Sequence, residues 1–179
     1  MRNVIKDLTV IGNGSKKRCL VNLFLGPNFH AVLNYRIARF FYKCHLEIIA
    51  KMIHYVNRTK YSVDIDYRAD LAGGFHLVHG IGVVIGRDVV SEGPIKIYQN
   101  VTLGGNKGKK RTENGITFTQ PRLKANSIIY ANSVVIGPVI VGENAICGAS
   151  SVITSDIAPN TTVFNKSEKI IIDRIRSSD

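Results

Sequence analysis

The chain has 179 residues, a hydrophobic share of 45% and a formal net charge of +11. That is enough apolar material for the core of one domain with an appendage. Its three cysteines, Cys19, Cys44 and Cys147, have no metal-ligand spacing, and their odd number fits a reducing compartment better than a disulfide framework.

The charge is unevenly placed. Residues 1–60 carry eleven Lys/Arg against two acids, Asp7 and Glu47, whereas residues 61–179 carry thirteen against eleven. A basic N-terminal segment of this kind suits anionic lipid or an acidic polymer. No nucleic-acid recognition motif accompanies it, so nucleic acid is not an expected partner. Met1–Gly14 is polar and includes Asp7, unlike a signal peptide. The longest uncharged run, Cys19–Tyr35, is interrupted by Asn, Pro and His and falls short of the roughly 20 apolar residues a membrane span needs. A cytoplasmic protein, touching a membrane only peripherally, is expected.

In chain order, Met1–Gly26 gives no clear pattern, and SKKR at 15–18 reads as a turn. Pro27 suits a helix's first turn. Phe29, Val32, Leu33, Tyr35, Ile37, Ala38, Phe40 and Phe41 then form an apolar stripe at helical spacing. The spacing predicts helices over 28–43 and 45–57, completing a basic helical segment over 1–60 that caps the remainder of the chain.

From Asp64 to Phe164 the period becomes six. A compact apolar residue returns at Leu123, Ile129, Val135, Val141, Cys147 and Ile153, and earlier at Ile65, Leu71, Leu77, Ile85, Ser91, Ile97 and Leu103. This hexapeptide beat predicts a mainly β fold, a parallel β-helix over 61–165 with three repeats per coil and the recurring residue facing inward. The beat slips once, between Leu77 and Ile85, and the extra residues fall in VHGIG at 78–82. An insertion in a solenoid maps to a protruding loop, often on the binding face. A second segment, Asn106–Gln120, is polar, basic and off-period, and is expected to stand away from the coils. Residues 166–179 read as a tail.

The off-register loop carries His79, and a histidine near neutral pH suits abstraction of a hydroxyl proton. Such a base needs a partner to fix its tautomer. Asp64, fifteen residues earlier, is about one coil away, with Asp66 and Asp70 as rivals of the same type and His76 as the rival base.

VDI at 63–65, HG at 79–80, VVIG at 83–86, VTLGG at 101–105 and the later coils resemble the acyltransferase domain of serine acetyltransferases and related bacterial exopolysaccharide O-acetyltransferases. The resemblance implies a left-handed winding of the β-helix, against the usual right-handed crossover. It also implies His79 as base, Asp64 as its orienting partner, acetyl-CoA as co-substrate, a homotrimer and no metal. The pantetheine arm would lie between subunits against backbone at Gly104, Gly105, Ala131 and Ala149.

The chain departs from the serine acetyltransferase pattern around the acceptor. It has Val78 where an Asp precedes the loop His, and Thr119 and Gln120 where an Arg-His pair ends the loop. Without those charges a zwitterion lacks partners. The expected acceptor is therefore a hydroxyl of a sugar, on a capsular or exopolysaccharide or its precursor. Serine, and a non-catalytic trimeric scaffold, are the alternatives.

Overall fold

The six-residue beat closes the chain into a three-sided prism. In a computed structural model, which describes residues 2–165, the chain visits three parallel sheets in rotation, forming a left-handed β-helix behind a helical cap. Face one collects Asp64–Ile65, Val84–Ile85, Thr102–Gly104, Val134–Ile136 and Val152–Ile153. Face two collects Asp70–Leu71, Val90–Ser91, Arg122–Leu123 and Ile140–Val141. Face three collects Phe75–Leu77, Ile95–Ile97, Ser127–Ile129, Ile146–Cys147 and Thr162–Val163. The tail read from 166 onward lies outside the described residues.

The register stacks the periodic residues on one another. Ile65, Ile85, Leu103, Val135 and Ile153 form one interior column, and Leu77, Ile97, Ile129 and Cys147 another. All are 4% exposed or less. Burying each large aliphatic contributes about 1.5–3 kcal/mol, which is why the interior outweighs local irregularity. The extra residues at 78–82 leave the stack intact, since Ile65 still faces Ile85 and Leu77 still faces Ile97.

Corners demand left-handed backbone, which asparagine tolerates better than most side chains. Asn100, Asn126, Asn132, Asn144 and Asn160 all take φ between 55° and 61°. Their amides then join neighbouring coils: Asn126 donates to Asn144 at 3.1 Å and Asn144 to Asn160 at 2.9 Å.

Four helices precede the prism: α1 (Arg2–Ile11), α2 (Lys16–Leu25), α3 (Pro27–Lys43) and α4 (Glu47–Tyr61). The first two are not legible in the sequence, and the turn read at 15–18 is a helix start. Ser15 caps α2, its Oγ accepting from the Arg18 N–H. α3 lays Ala31, Val32 and Tyr35 onto the prism end, all 1% exposed or less, and also buries Phe29. The Tyr35 hydroxyl donates to the Ala69 carbonyl at 2.7 Å and accepts from the Leu71 N–H at 3.2 Å. This closes the open end of the first coil.

Asp7 of α1 is fully buried. Its carboxylate accepts from Arg36 Nε at 2.8 Å and from the Gly74 and Phe75 N–H groups at 2.8 and 2.9 Å. A buried charge needs such partners.

The off-period segment leaves the prism but folds back. Arg111–Glu113 pairs antiparallel with Ile116–Phe118 around Asn114-Gly115, both at positive φ, the chemistry of a tight hairpin turn. Phe118 is 6% exposed, beneath the Arg111 and Arg122 guanidiniums. Arg111 Nη1 reaches Asp156 at 2.6 Å. The hairpin is thus tied down at its base, and Lys109 and Lys110 stay exposed.

Candidate functional site

His79 sits exposed at the corner between faces three and one. The loop that carries it is fixed on both sides by one side chain. Asn28, in the first turn of α3, donates from Nδ2 to the Val78 carbonyl at 2.7 Å and accepts at Oδ1 from the Gly80 N–H at 3.0 Å. Gly80 is closely packed: a Cβ there would meet Leu77 Cδ2 at 2.9 Å and Val63 Cγ2 at 3.0 Å, so a side chain would make these buried neighbours shift. The backbone beside His79 is therefore rigid while its imidazole is open to solvent.

Asp64 opens face one, its side chain about one-third exposed. Its Oδ1 accepts from His54 Nε2 of α4 at 2.8 Å, and its Oδ2 lies 3.5 Å from Arg58 Nε. A carboxylate only accepts, so His54 carries its proton on Nε2 in this contact. The hydrogen-bond partner found for Asp64 is His54, and none joins it to His79. The rival carboxylates are engaged elsewhere: Asp66 with Arg68 at 2.7 Å and Asp70 with Arg39 at 2.6 Å. Burial alone would raise the Asp66 carboxyl, but its bonds to Arg68 hold it below its ordinary value. His76, the rival base, lies half-buried on the outer side of face three beside Lys96. Burial and then Lys96 push its imidazole below its ordinary value.

Aromatic rings continue the His79 corner down the prism. Tyr98 meets the His79 ring nearly edge-on, centroids 6.5 Å apart, and stacks on Tyr130 at 4.7 Å. Ala131 and Ala149 follow at the same corner on successive coils, the Ser150 N–H donating to the Ala131 carbonyl. Gly104 and Gly105 lie at the opposite edge of face one. A Cβ on Gly104 would meet nothing within 4 Å, and on Gly105 nothing nearer than 3.8 Å, so bare backbone faces open space there. One chain therefore holds the four small residues at two separate corners. Val78 precedes His79 and is half-buried.

Thr119 and Gln120 close the hairpin against another part of the chain. Thr119 Oγ1 donates to Asp88 Oδ2 at 3.1 Å, and Gln120 Oε1 accepts from the Asp88 N–H at 3.4 Å. The cleft beside Thr119 is lined by Arg68, Asp70, Arg87, Asp88 and Arg122.

Sequence reasoning missed Asn28 and His54 as neighbours of the site. Nothing in their local sequence separates them from ordinary helix residues, because their partners lie on the first coil. The hairpin did have a signal, the Asn114-Gly115 dipeptide between β-forming residues. Among the described residues no His/Cys/Asp/Glu cluster could hold a metal ion, and no helix is long and apolar enough to cross a membrane.

No protein-family model matches the chain. It is 33% identical over 152 residues to a serine acetyltransferase of Helicobacter pylori, covering 83% of this chain and 84% of that protein. It is 33% identical over 145 residues to the serine acetyltransferase of Synechococcus elongatus, covering 81% of this chain but 57% of the relative's length. The crystal structure of Neisseria gonorrhoeae serine acetyltransferase in complex with serine superposes with a TM-score of 0.81 at 30% identity, over 94% of this chain and 68% of that one.

These relatives overturn the expectation of a sugar or polysaccharide acceptor, since they are serine acetyltransferases. The expectation rested on the local sequence of uncharged Val78, Thr119 and Gln120 alone, whereas in the fold Thr119 and Gln120 meet Asp88, with Arg87 beside it, from some thirty residues earlier in the chain. Local sequence does not report charge supplied from another coil.

Proposed function

The chain belongs to the serine acetyltransferase family, and on that premise we propose that it transfers an acetyl group from acetyl-CoA to the hydroxyl of L-serine. The observation that carries the reading, on a chain of this family, is the exposed His79 imidazole on a clamped loop. His79 acts as general base. It takes the serine hydroxyl proton as the oxygen attacks the thioester carbonyl. A backbone N–H at Gly104 or Gly105 meets the developing oxyanion, a donor worth about 2.7–4 kcal/mol in comparable sites. Collapse expels the thiolate of CoA, and the His79 imidazolium returns the proton to it. Asp64 orients the base. Val78, Thr119 and Gln120 border the acceptor.

The pantetheine arm runs along backbone at Gly104, Gly105, Ala131 and Ala149. Open space at Gly104 and Gly105 supports this, since only a residue without a side chain lets a ligand approach backbone so closely. The two pairs stand at different corners of one prism, so the arm is held between neighbouring subunits of a homotrimer. The N-terminal helices touch an anionic membrane peripherally. Leu20, Phe24 and Leu25 of α2 are 58–77% exposed, and Lys16, Lys17 and Arg18 open the same helix.

Purified protein with acetyl-CoA and L-serine should release CoA thiol and form O-acetylserine, with turnover on the order of 10 s⁻¹. L-alanine, which lacks the hydroxyl, should give none. Absence of serine-dependent release in a folded protein would overturn the assignment.

A further inference from the structure

We propose that the helical cap is part of the catalytic machinery: Asn28 of α3 is the positioning residue for His79, and His54 of α4 is the positioning residue for Asp64. The inference rests on the serine acetyltransferase reading for what His79 and Asp64 do. A cap that only hid the open end of the prism would need an apolar face, and α3 supplies one through Ala31, Val32 and Tyr35. The contacts of Asn28 and His54 are additional and specific.

Asn28 uses both ends of its amide on the two backbone groups that flank His79, the Val78 carbonyl at 2.7 Å and the Gly80 N–H at 3.0 Å. Two bonds from one planar group fix position and tilt of the peptide segment between them. Ladder bonds hold the ends of the 78–82 segment, the Val78 N–H to the Ile97 carbonyl and the Gly82 N–H to the Ser62 carbonyl, both at 2.9 Å. The two groups that flank His79, the Val78 carbonyl and the Gly80 N–H, find no backbone partner among the described residues and need a restraint of their own. Asn28 supplies that restraint from a separate element.

His54 does the same for the carboxylate. Its ring stands edge-on to Tyr67, centroids 5.8 Å apart at 77°, and the Tyr67 hydroxyl donates to Glu47 at 3.0 Å. The His54 side chain is only 18% exposed, so its orientation is set by packing. Its Nε2–H occupies Asp64 Oδ1 at 2.8 Å, so the oxygen left for His79 is Oδ2, which has Arg58 Nε at 3.5 Å beside it. Catalytic groups lose rate steeply when displaced, by as much as about 100-fold for 1 Å.

The test compares wild type with Asn28→Ala, Asn28→Asp, His54→Ala and His54→Gln, with Lys43→Ala as a surface control. Turnover of acetyl-CoA with L-serine and the acetyl-CoA KM are measured, and circular dichroism checks folding. Both alanine variants should lose about 10–100-fold in kcat with KM unchanged. His54→Gln keeps an N–H donor for Asp64 and should recover most of the rate. Asn28→Asp keeps the acceptor for Gly80 but not the donor to Val78, and should fall between. Folded alanine variants within about twofold of wild-type kcat would overturn the proposal.

Two readouts need no turnover. The Gly80 amide should be protected from hydrogen exchange in wild type and exchange quickly in Asn28→Ala or, should that variant not fold, in Asn28→Asp. The His54 Nε2–H resonance should be present in wild type and change in Asp64→Asn. A Gly80 amide unprotected in wild type, or a His54 signal unmoved by Asp64→Asn, overturns the clamp. If wild type does not turn over serine while both signals behave as expected, the functional reading fails and the clamp stands.

Discussion

Replacing Asp7 with alanine should be among the costliest single changes in the N-terminal half. Asp7 is fully buried and accepts from Arg36 at 2.8 and 3.1 Å and from two backbone N–H groups of the first coil. Its loss strands a guanidinium that is itself only 7% exposed. Removing one partner of a buried pair typically costs about 3–5 kcal/mol. Arg36 keeps its bonds to the Leu71 and Ala72 carbonyls, so the lower end, about 3 kcal/mol, is expected. For a chain of this size that is a fall in Tm of roughly 6–12 °C. Asp7→Asn retains an acceptor for the Gly74 and Phe75 N–H groups and should cost less. Asp7→Leu combined with Arg36→Met should recover much of the loss, because no charge is then left buried. Urea unfolding and differential scanning calorimetry at one fixed protein concentration measure this, since assembly makes Tm concentration-dependent. A folded Asp7→Ala protein that loses less than about 1 kcal/mol would refute the reasoning, because a stranded buried charge cannot be that cheap. The contact also matters to function: Arg36 shares α3 with Asn28, so loosening α1 should lower kcat before it unfolds the prism.

Other expectations concern chemistry and surface. His79→Ala should abolish serine-dependent CoA release and leave the fold intact, whereas Asp64→Asn should cost less, because it misorients the base without removing it; near-normal turnover in His79→Ala would transfer the role to His76. His76 titrates in the fold below its ordinary value of 6.5 because it is buried beside Lys96. The unfolded chain therefore binds its proton first on acidification. The stability it contributes is complete above about 6.5 and is lost as the pH falls toward its folded-state value. His76→Gln should flatten that part of the stability–pH curve, as urea midpoints between pH 7 and 5 would reveal. Burial pushes the Cys147 thiol up to about 12, so it should resist thiol reagents at pH 8 until the protein unfolds, while exposed Cys44 reacts at once. Binding to anionic vesicles through α2 should weaken from low to high salt, because exposed charges are screened over about 8 Å at physiological ionic strength; no binding at low salt would remove the membrane contact.

The prism was legible in the sequence because its period is its structure. Each sixth residue faces inward, and stacking coils is the one arrangement that buries Leu123, Ile129, Val135, Val141, Cys147 and Ile153 together. The slip at 78–82 was legible for the same reason, since an insertion that cannot enter the stack must leave it, and it marked His79. Helix α3 followed from its apolar stripe. α1 and α2 did not: the residue that α1 buries is Asp7, and α2 buries none of its own, so neither offers the pattern from which burial is inferred.

What the sequence by itself determined was the coil, its interior and the loop that breaks it, all consequences of spacing along one chain. What only the tertiary structure decided was who meets whom across it. Asn28 reaches a loop fifty residues away, His54 rather than His79 holds Asp64, and Asp88 with Arg87 lies against Thr119 and Gln120. A hydrogen bond depends on distances of about 3 Å, and periodicity fixes which face a residue occupies without fixing which side chain of another element arrives there.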